Sequence, residues 1–310
     1  MNRIPNIILL CCAITAFAYA ESFINDFLYL NTDIRTSAMG GCRMASGGAA
    51  AVFGNPARIA EDNEWVFVSH EQLYQGLVIS DAAGIVLDIG GPGTFAIGAL
   101  YVGGGDIKVT ALPDQSQPIS AKNRPYEVAS KSHHDIALVP GYAINVGENW
   151  LLGASWAIMY RHLVDNSAFG GSMSFGATWR PISSLTAGAA MRNISCISWN
   201  TDDKTVEFGA PSLGLGAHYT VTLGSGFAAV ACLEGQYLPQ EALFECFAGG
   251  EASYENLAAI RCGINNNGFT AGADVLLVGG VRAGAALILH NDLPVSYRVG
   301  MILERQNEAG

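Results

Sequence analysis

The stretch "SMSFGATW", residues 172–179, sorts its side chains into two rows. Met173, Phe175, Ala177 and Trp179 fall on one face of an extended chain, and Ser172, Ser174, Gly176 and Thr178 on the other. Side chains of a strand alternate between faces, so this spacing predicts a β-strand. The second row decides what kind. It is small or mildly polar, whereas a strand of a soluble sandwich turns its large residues inward and its charges outward. Large residues against small ones, with few charges, is the pattern of a barrel whose greasy face meets lipid.

The same scheme repeats along the chain. Leu185, Ala187, Ala189 and Met191 oppose Thr186, Gly188, Ala190 and Arg192. Leu213, Leu215, Ala217 and Tyr219 oppose Gly214, Gly216, His218 and Thr220. Phe227, Ala229, Ala231, Leu233 and Tyr237 stand against a set that includes Glu234 and Gln236. Val295, Tyr297, Val299, Met301 and Leu303 oppose Ser296, Arg298, Gly300 and Glu304. Segments of this type are expected at 65–71, 76–89, 94–103, 134–146, 150–161, 170–180, 184–193, 211–221, 226–237, 245–253, 257–264, 268–276, 280–290 and 294–304. Each approaches the length that crosses an outer membrane when tilted, and the count is even, as single-chain bacterial barrels require. The second segment is irregular; it is counted as one, with two pieces as the alternative. Trp150, Tyr160, Trp179, Tyr219, Tyr237, Tyr254 and Tyr297 lie near segment ends, where interfacial girdles form. Two connections are long, 104–133 and 194–210, and both follow an odd-numbered strand. They therefore leave from the same end of the cylinder.

The bulk properties agree. Half of the 310 residues are hydrophobic, only 14% are charged, and 37 are glycine. The most apolar long run, 271–290, carries Asp274, Arg282 and several glycines, so it is a poor membrane helix. An apolar chain without spanning helices satisfies its backbone in lipid only as a closed barrel. Residues 1–20 read as a signal peptide: Arg3, an apolar run over 7–17, then Ala18-Tyr19-Ala20. The mature chain then starts near Glu21. The formal charge of −11 and the lack of any basic stripe argue against nucleic acid as a partner. After the leader, Cys42, Cys196, Cys232, Cys246 and Cys262 occur singly in apolar segments and read as small hydrophobes. Their number permits a bridge and leaves at least one thiol free.

A wide barrel needs a filler or leaves a channel. The stretch "MGGCRMASGGAAAVFGNPARIA", residues 39–60, precedes the first strand and consists mainly of small residues that let backbone approach backbone. Asn55 suits an N-cap and Pro56 a first helical position, so 55–60 reads as one helical turn. We read 21–62 as a plug segment, 63–304 as the barrel and 305–310 as a polar tail. A flexible linker of the same composition is the alternative.

That stretch, with its Met39-Gly40-Gly41 turn and its Asn55-Pro56-Ala57 ending, is similar to the N-terminal signature of the PorV/PorQ outer-membrane family. The likeness continues through "SHHDIALVPGYAINVGENWLLGASWAIMYRHL", "SFGATWRPISSLTAGAAMRNI" and "AGGEASYENLAAIRCGI". It implies a plugged barrel of about fourteen strands, related to the long-chain fatty-acid transporters. For function it implies a docking or export component for secreted proteins, as in type IX secretion. Uptake of a hydrophobic small molecule and a structural envelope role are the alternatives. The last strand, "VGMILERQNEAG", departs from the family by lacking a terminal aromatic.

Charges on the small-residue face are candidates for the lumen. Glu251 and Arg261 belong to one hairpin and are expected to face each other. Asp135, Arg192, Asp274, Arg282 and Arg298 are expected inside as well, where with Arg35 and Arg43 they would hold the plug by charge. His133-His134-Asp135 is no metal site, since adjacent residues on a strand point to opposite sides and no third ligand has suitable spacing. No nucleophile elbow, zinc-protease motif or phosphate loop occurs. The reading is therefore a membrane protein without catalytic residues, metal or cofactor. Its partners would be outer-membrane lipid and either secreted proteins or a hydrophobic ligand.

Overall fold

A computed structural model describes residues 25–60, 64–87, 92–200, 205–239 and 241–304. The expected signal peptide and polar tail lie outside these residues. Within them the chain forms fifteen strands: β1 (Glu64–Leu73), β2 (Val78–Leu87), β3 (Gly93–Ala111), β4 (Tyr126–Val146), β5 (Trp150–Leu163), β6 (Asn166–Ile182), β7 (Leu185–Trp199), β8 (Val206–Gly209), β9 (Ser212–Gly224), β10 (Phe227–Leu238), β11 (Leu243–Tyr254), β12 (Ala258–Asn265), β13 (Gly268–Leu276), β14 (Val281–His290) and β15 (Ser296–Glu304). Each pairs antiparallel with its neighbours, β1 pairs with β15, and the β6–β7 pairing completes the ring. The short β8 pairs with the far half of β7 and β9 with its near half, so β8 and β9 share one place in the wall. The result is a closed barrel of fourteen strands, in which β8 is paired on one side, with β7.

Side-chain alternation follows the two rows read from the sequence. Met173, Phe175, Trp179, Leu213, Leu215, Tyr219, Leu233, Val299 and Met301 are exposed on the outside, while Ser172, Ser174, Thr178, Arg192, Glu234, Gln236 and Arg298 are buried within. Aromatics gather toward both rims. At one rim Trp150 stacks on Trp179 at 5.9 Å between ring centroids, and Phe227 meets Tyr254 at 4.8 Å. At the other, Tyr160 packs on Phe169 at 4.9 Å.

Two connections are shorter than expected. The turn-like run Gly103-Gly104-Gly105-Asp106 is a bulge, with Asp106 at a φ of 58°, and pairing resumes at Ile107↔Lys131. The expected 104–133 loop thus shrinks to 112–125, on a hairpin that rises above the wall. Asn123 gathers that loop by donating from Nδ2 to the carbonyls of Asp114 (2.8 Å) and Gln117 (3.0 Å). The expected 194–210 loop is likewise a strand that continues past a bulge, where Asn193 adopts a φ of 64°. One residue inserted in a strand flips every later side chain, which is why the alternation was lost there. The irregular second segment is a single strand, preceded by a tight turn over Tyr74–Gly76.

Residues 25–60 pack against inner-face residues of the ring. A 3-10 turn (Asp26–Tyr29) leads to a five-residue helix (Ile34–Ala38), whose N-terminus is capped by Asp33 accepting from the backbone of Thr36 at 2.9 Å. Two further 3-10 turns follow, Ala49–Phe53 and Pro56–Ala60. The segment divides the interior. Its later half buries Ala49, Ala51, Val52 and Ile59 against Leu100, Val139 and Met159 of the wall, forming the main apolar core. Its earlier half adds Phe27 and Leu28 to that core and then meets the charged interior of β10 to β15.

Candidate functional site

The wall is cut to the backbone of the inner segment by glycine. A Cβ built on Gly249 would stand 2.5 Å from the carbonyl oxygen of Met39, and one on Gly263 would collide with the amide nitrogen of Gly40. Gly188 and Gly176 have the same relation to the Met44 carbonyl and the Asn55 side chain, and Gly153 to Pro56. These glycines all sit on the inner face, where the segment crosses. Met39-Gly40-Gly41 is therefore a turn laid directly on bare wall. Gly40 has a φ of 75°, and its own Cβ would meet the Ala248 carbonyl at 2.6 Å, so no other residue fits there.

Polar side chains of the wall complete the turn. Thr270 Oγ1 accepts from the Gly40 amide at 2.8 Å and donates to the Ala38 carbonyl at 2.8 Å, while Asn265 Nδ2 donates to the Gly40 carbonyl at 2.8 Å. Glu234 Oε2 accepts from the amides of Arg43 (2.7 Å) and Met44 (2.8 Å). Asn55 donates from Nδ2 to the Met44 carbonyl (2.7 Å) and the Ala177 carbonyl (3.2 Å), and its Oδ1 accepts from the amide of Ala57 (3.1 Å). Asn55 is fully buried and links two parts of the segment to β6. Asn55→Ala is expected to cost about 1–3 kcal/mol, because buried carbonyls lose their donor. The loss should appear as faster amide exchange over 44–58, with exchange in the strands unchanged. Uniform acceleration through the barrel would argue that Asn55 supports the wall instead.

The charges form three groups. The first is a ladder of alternating sign across five neighbouring strands. Arg35 of the short helix meets Glu251 (2.8 Å from Nε to Oε2); Arg261 meets Glu251 (2.5 Å) and Asp274; Arg282 meets Asp274 (2.7 Å) and Glu304 (2.6 Å). Glu251 and Arg261 stand directly opposite in register, and Asn256 at the hairpin turn also accepts from Arg282 through its carbonyl at 2.7 Å. The second group ties wall to segment: Arg298 pairs with Glu71 and donates to the Asn31 carbonyl. Arg192 donates to Gln236 (2.9 Å) and the Phe53 carbonyl (3.3 Å), with its guanidinium 5.5 Å from the Tyr29 ring centroid. In the third, Asp135 meets Arg161 at 2.7 Å, and Arg161 lies 5.4 Å from the ring centroid of Phe27.

Of the two arginines in 25–60 expected to act by charge, Arg35 pairs with Glu251, while Arg43 engages Glu234 through its backbone amide. Burial pushes the Arg43 guanidinium below its usual range, opposed by Glu234. Burial raises the Tyr29 hydroxyl and, with Glu241 adding to it, the Asp26 carboxyl. Glu71, Arg161, Glu234, Thr270, Asn265 and Glu304 were not picked out as site residues from the sequence. Glu234 carried a signal, as an acid in the small row opposite Leu233. His133 and His134 diverge, with His134 Nδ1 on the outside at 2.8 Å from the Tyr101 hydroxyl. No metal-binding cluster occurs among the described residues.

The segment separates two clefts. Toward the rim with the projecting hairpin lies a cleft of about 440 Å³, floored by Ser37, Gly40 and Gly41. Leu30, Leu73, Leu238, Phe247 and Ile288 give it apolar walls, and Glu71, Glu241 and Glu245 lie among its polar groups. Toward the other rim lies a cleft of about 240 Å³, lined by the charge ladder from Arg35 to Glu304. The helix Ile34–Ala38 stands between them.

Known structures share this architecture. The toluene transporter TbuX of Ralstonia pickettii superposes with a TM-score of 0.57 over 89% of this chain and 99% of its own, at 13% identity. The Pseudomonas putida toluene transporter TodX does so with 0.58 over 89% and 97%, at 12% identity. The monoaromatic hydrocarbon channel CymD gives 0.58 over 88% and 97%, at 11% identity. The chain has their fold. No protein family and no curated protein matches its sequence. The three descriptions name hydrocarbon transport and no secretion component.

Proposed function

We propose that this protein is an outer-membrane barrel, plugged by residues 25–60, that admits a small hydrophobic molecule through its upper cleft. Of the functions weighed from the sequence, uptake now has better support than docking in type IX secretion. The observation that carries it is the cleft itself: about 440 Å³, partly apolar, open toward one rim and floored by the inner segment. That volume lies in the range of small-molecule sites. The relatives in fold are described as toluene transporters and monoaromatic hydrocarbon channels, which supports a ligand of similar class. The long hairpin end would face the outside of the cell, as is usual for such barrels. The polar floor and the ladder beneath it suit a plug that shifts to let solute pass rather than a permanent pore.

The test uses a Gram-negative host with a complete lipopolysaccharide leaflet, which is the barrier to such molecules. Cells making the protein should take up radiolabelled toluene several-fold faster than vector cells. Filling the cleft with Leu73→Trp and Ile288→Trp should bring uptake back to the vector rate while folded barrel still accumulates. Uptake equal to vector, or unaffected by the filling, sinks the reading. A barrel that carries no solute yet retains an exported protein on its 112–125 hairpin would move the assignment to docking.

A further inference from the structure

The fold brings two cysteines together that lie on opposite sides of the segment–wall boundary. Cys42 follows the Met39-Gly40-Gly41 turn, is buried, and its amide donates to the Met39 carbonyl at 3.4 Å. Cys232 is on the inner row of β10, opposite Gly249, and its Sγ lies 3.9 Å from that same carbonyl and 3.5 Å from the Gly249 carbonyl. Cys42 and Cys232 therefore share one contact, the Met39 carbonyl, across the boundary. The turn is held over Gly249 from several sides, so this approach is fixed by the backbone rather than by chance rotamers. Cys196, Cys246 and Cys262, by contrast, are exposed on the outer face of three separate strands.

We propose that Cys42 and Cys232 are joined by a disulfide in the cell envelope, stapling the inner segment to the wall. This rests on the outer-membrane location proposed above, because an exported chain meets an oxidising compartment. The oxidant is the disulfide of an exported dithiol oxidoreductase. One cysteine thiolate attacks that disulfide to give a mixed disulfide, and the second displaces the enzyme. One Sγ–Sγ bond forms, each cysteine loses a hydrogen, and the two electrons and two protons leave with the enzyme as its dithiol.

The surroundings set the order of events. The hydrogen bond from Cys232, and then burial, hold the Cys42 thiol well above its usual range in the folded state. A thiol is a weak nucleophile until it ionises, so exchange belongs to the stage before the segment docks. Once docked, the same burial keeps reductants away. The staple secures the turn under the upper cleft and leaves residues 49–60 held by packing and by the hydrogen bonds of Asn55 and Arg192. Any movement that opens a path would therefore pivot about position 42.

The experiment freezes thiols in the envelope of cells that possess such an oxidase. Envelopes are dissolved in denaturant containing an alkylating reagent, so that every free cysteine is labelled whatever its burial. Trypsin with a glutamate-specific protease then isolates Cys42 in peptide 36–43 and Cys232 in peptide 208–234. We expect these two peptides to be linked, unlabelled, and released by dithiothreitol, with the link lost in Cys42→Ala. Alkylation of both cysteines in the wild-type chain, or a link from Cys42 to another cysteine, overturns the proposal. A density gradient run on the same lysate reports the location independently. A protein found outside the outer-membrane fraction counts against that location, while the peptide pair still decides the disulfide.

Discussion

Arg298→Met is expected to lower the stability of the barrel by about 3–5 kcal/mol, the range for stripping one partner from a buried ion pair. Glu71 pairs with Arg298 across the β1–β15 seam that closes the ring, and the residues are 5% and 1% exposed. Methionine fills most of the arginine volume but leaves Glu71 without its countercharge and the Asn31 carbonyl without its donor. Both losses fall on the inside, where water compensates little. The double variant Glu71→Met with Arg298→Met removes the orphaned charge and should recover most of the difference, since an apolar pair often replaces a buried salt bridge at small cost. Urea unfolding in detergent, followed by tryptophan fluorescence, reads both. A single variant within about 1 kcal/mol of wild type, or a double variant less stable than the single, would show that the seam does not depend on this pair.

The ladder should behave differently. Removing Arg261 leaves Glu251 with Arg35 and Asp274 with Arg282, so no carboxylate is stranded. Redundancy of this kind suits the part of the wall that meets the short helix. Charge can redistribute there while one contact is broken, as a movable segment would need.

The barrel was legible in the sequence because a wall with a large-residue outside and a small-residue inside imposes one rule on every residue of its strands. A large residue outward and a small one inward at Met173–Ser174 or Leu215–Gly216 leaves little room for another reading. The rule lapses where the hairpins of β3–β4 and β7–β8 extend beyond the closed wall, and they were accordingly mistaken for loops. Their bulges at Asp106 and Asn193 break period two. Charge partners were hardest to see. Glu251 and Arg261 share one hairpin, so local register pairs them. Arg298 and Glu71 are separated by 227 residues and become neighbours only because the ring closes. Asp135 could be placed inside from alternation alone, yet its partner Arg161 depended on the register of β4 with β5. The small residues of 39–60 pointed to close contact without saying with what. The answer, glycines of the wall, is visible only when both sides are known.

Gly263→Val should separate the two layers. Valine raises strand propensity at a mid-strand glycine, so β12 has no local reason to fail. Its Cβ, however, enters the space of the Gly40 amide, and Gly40 cannot retreat while Thr270 and Asn265 hold both sides of its peptide. Backbone cannot rotate out of the way as a long side chain can. The Met39-Gly40-Gly41 turn must therefore lift off the wall, taking with it the floor of the upper cleft and the helix that divides it from the lower one. Circular dichroism and heat-modified gel mobility should report an intact barrel, while single-channel recording in planar bilayers changes from rare or no openings to sustained conductance. Trypsin should at the same time gain access to Arg43, which is half-buried while the turn is seated. Alanine at 263 clashes through the same Cβ, so it should open the lumen too, whereas Cys262→Val on the outer face should not. A closed Gly263→Val barrel with Arg43 protected would mean that the segment tolerates an added side chain at its tightest crossing, and the fit between glycine wall and inner turn would then not be what keeps the lumen shut.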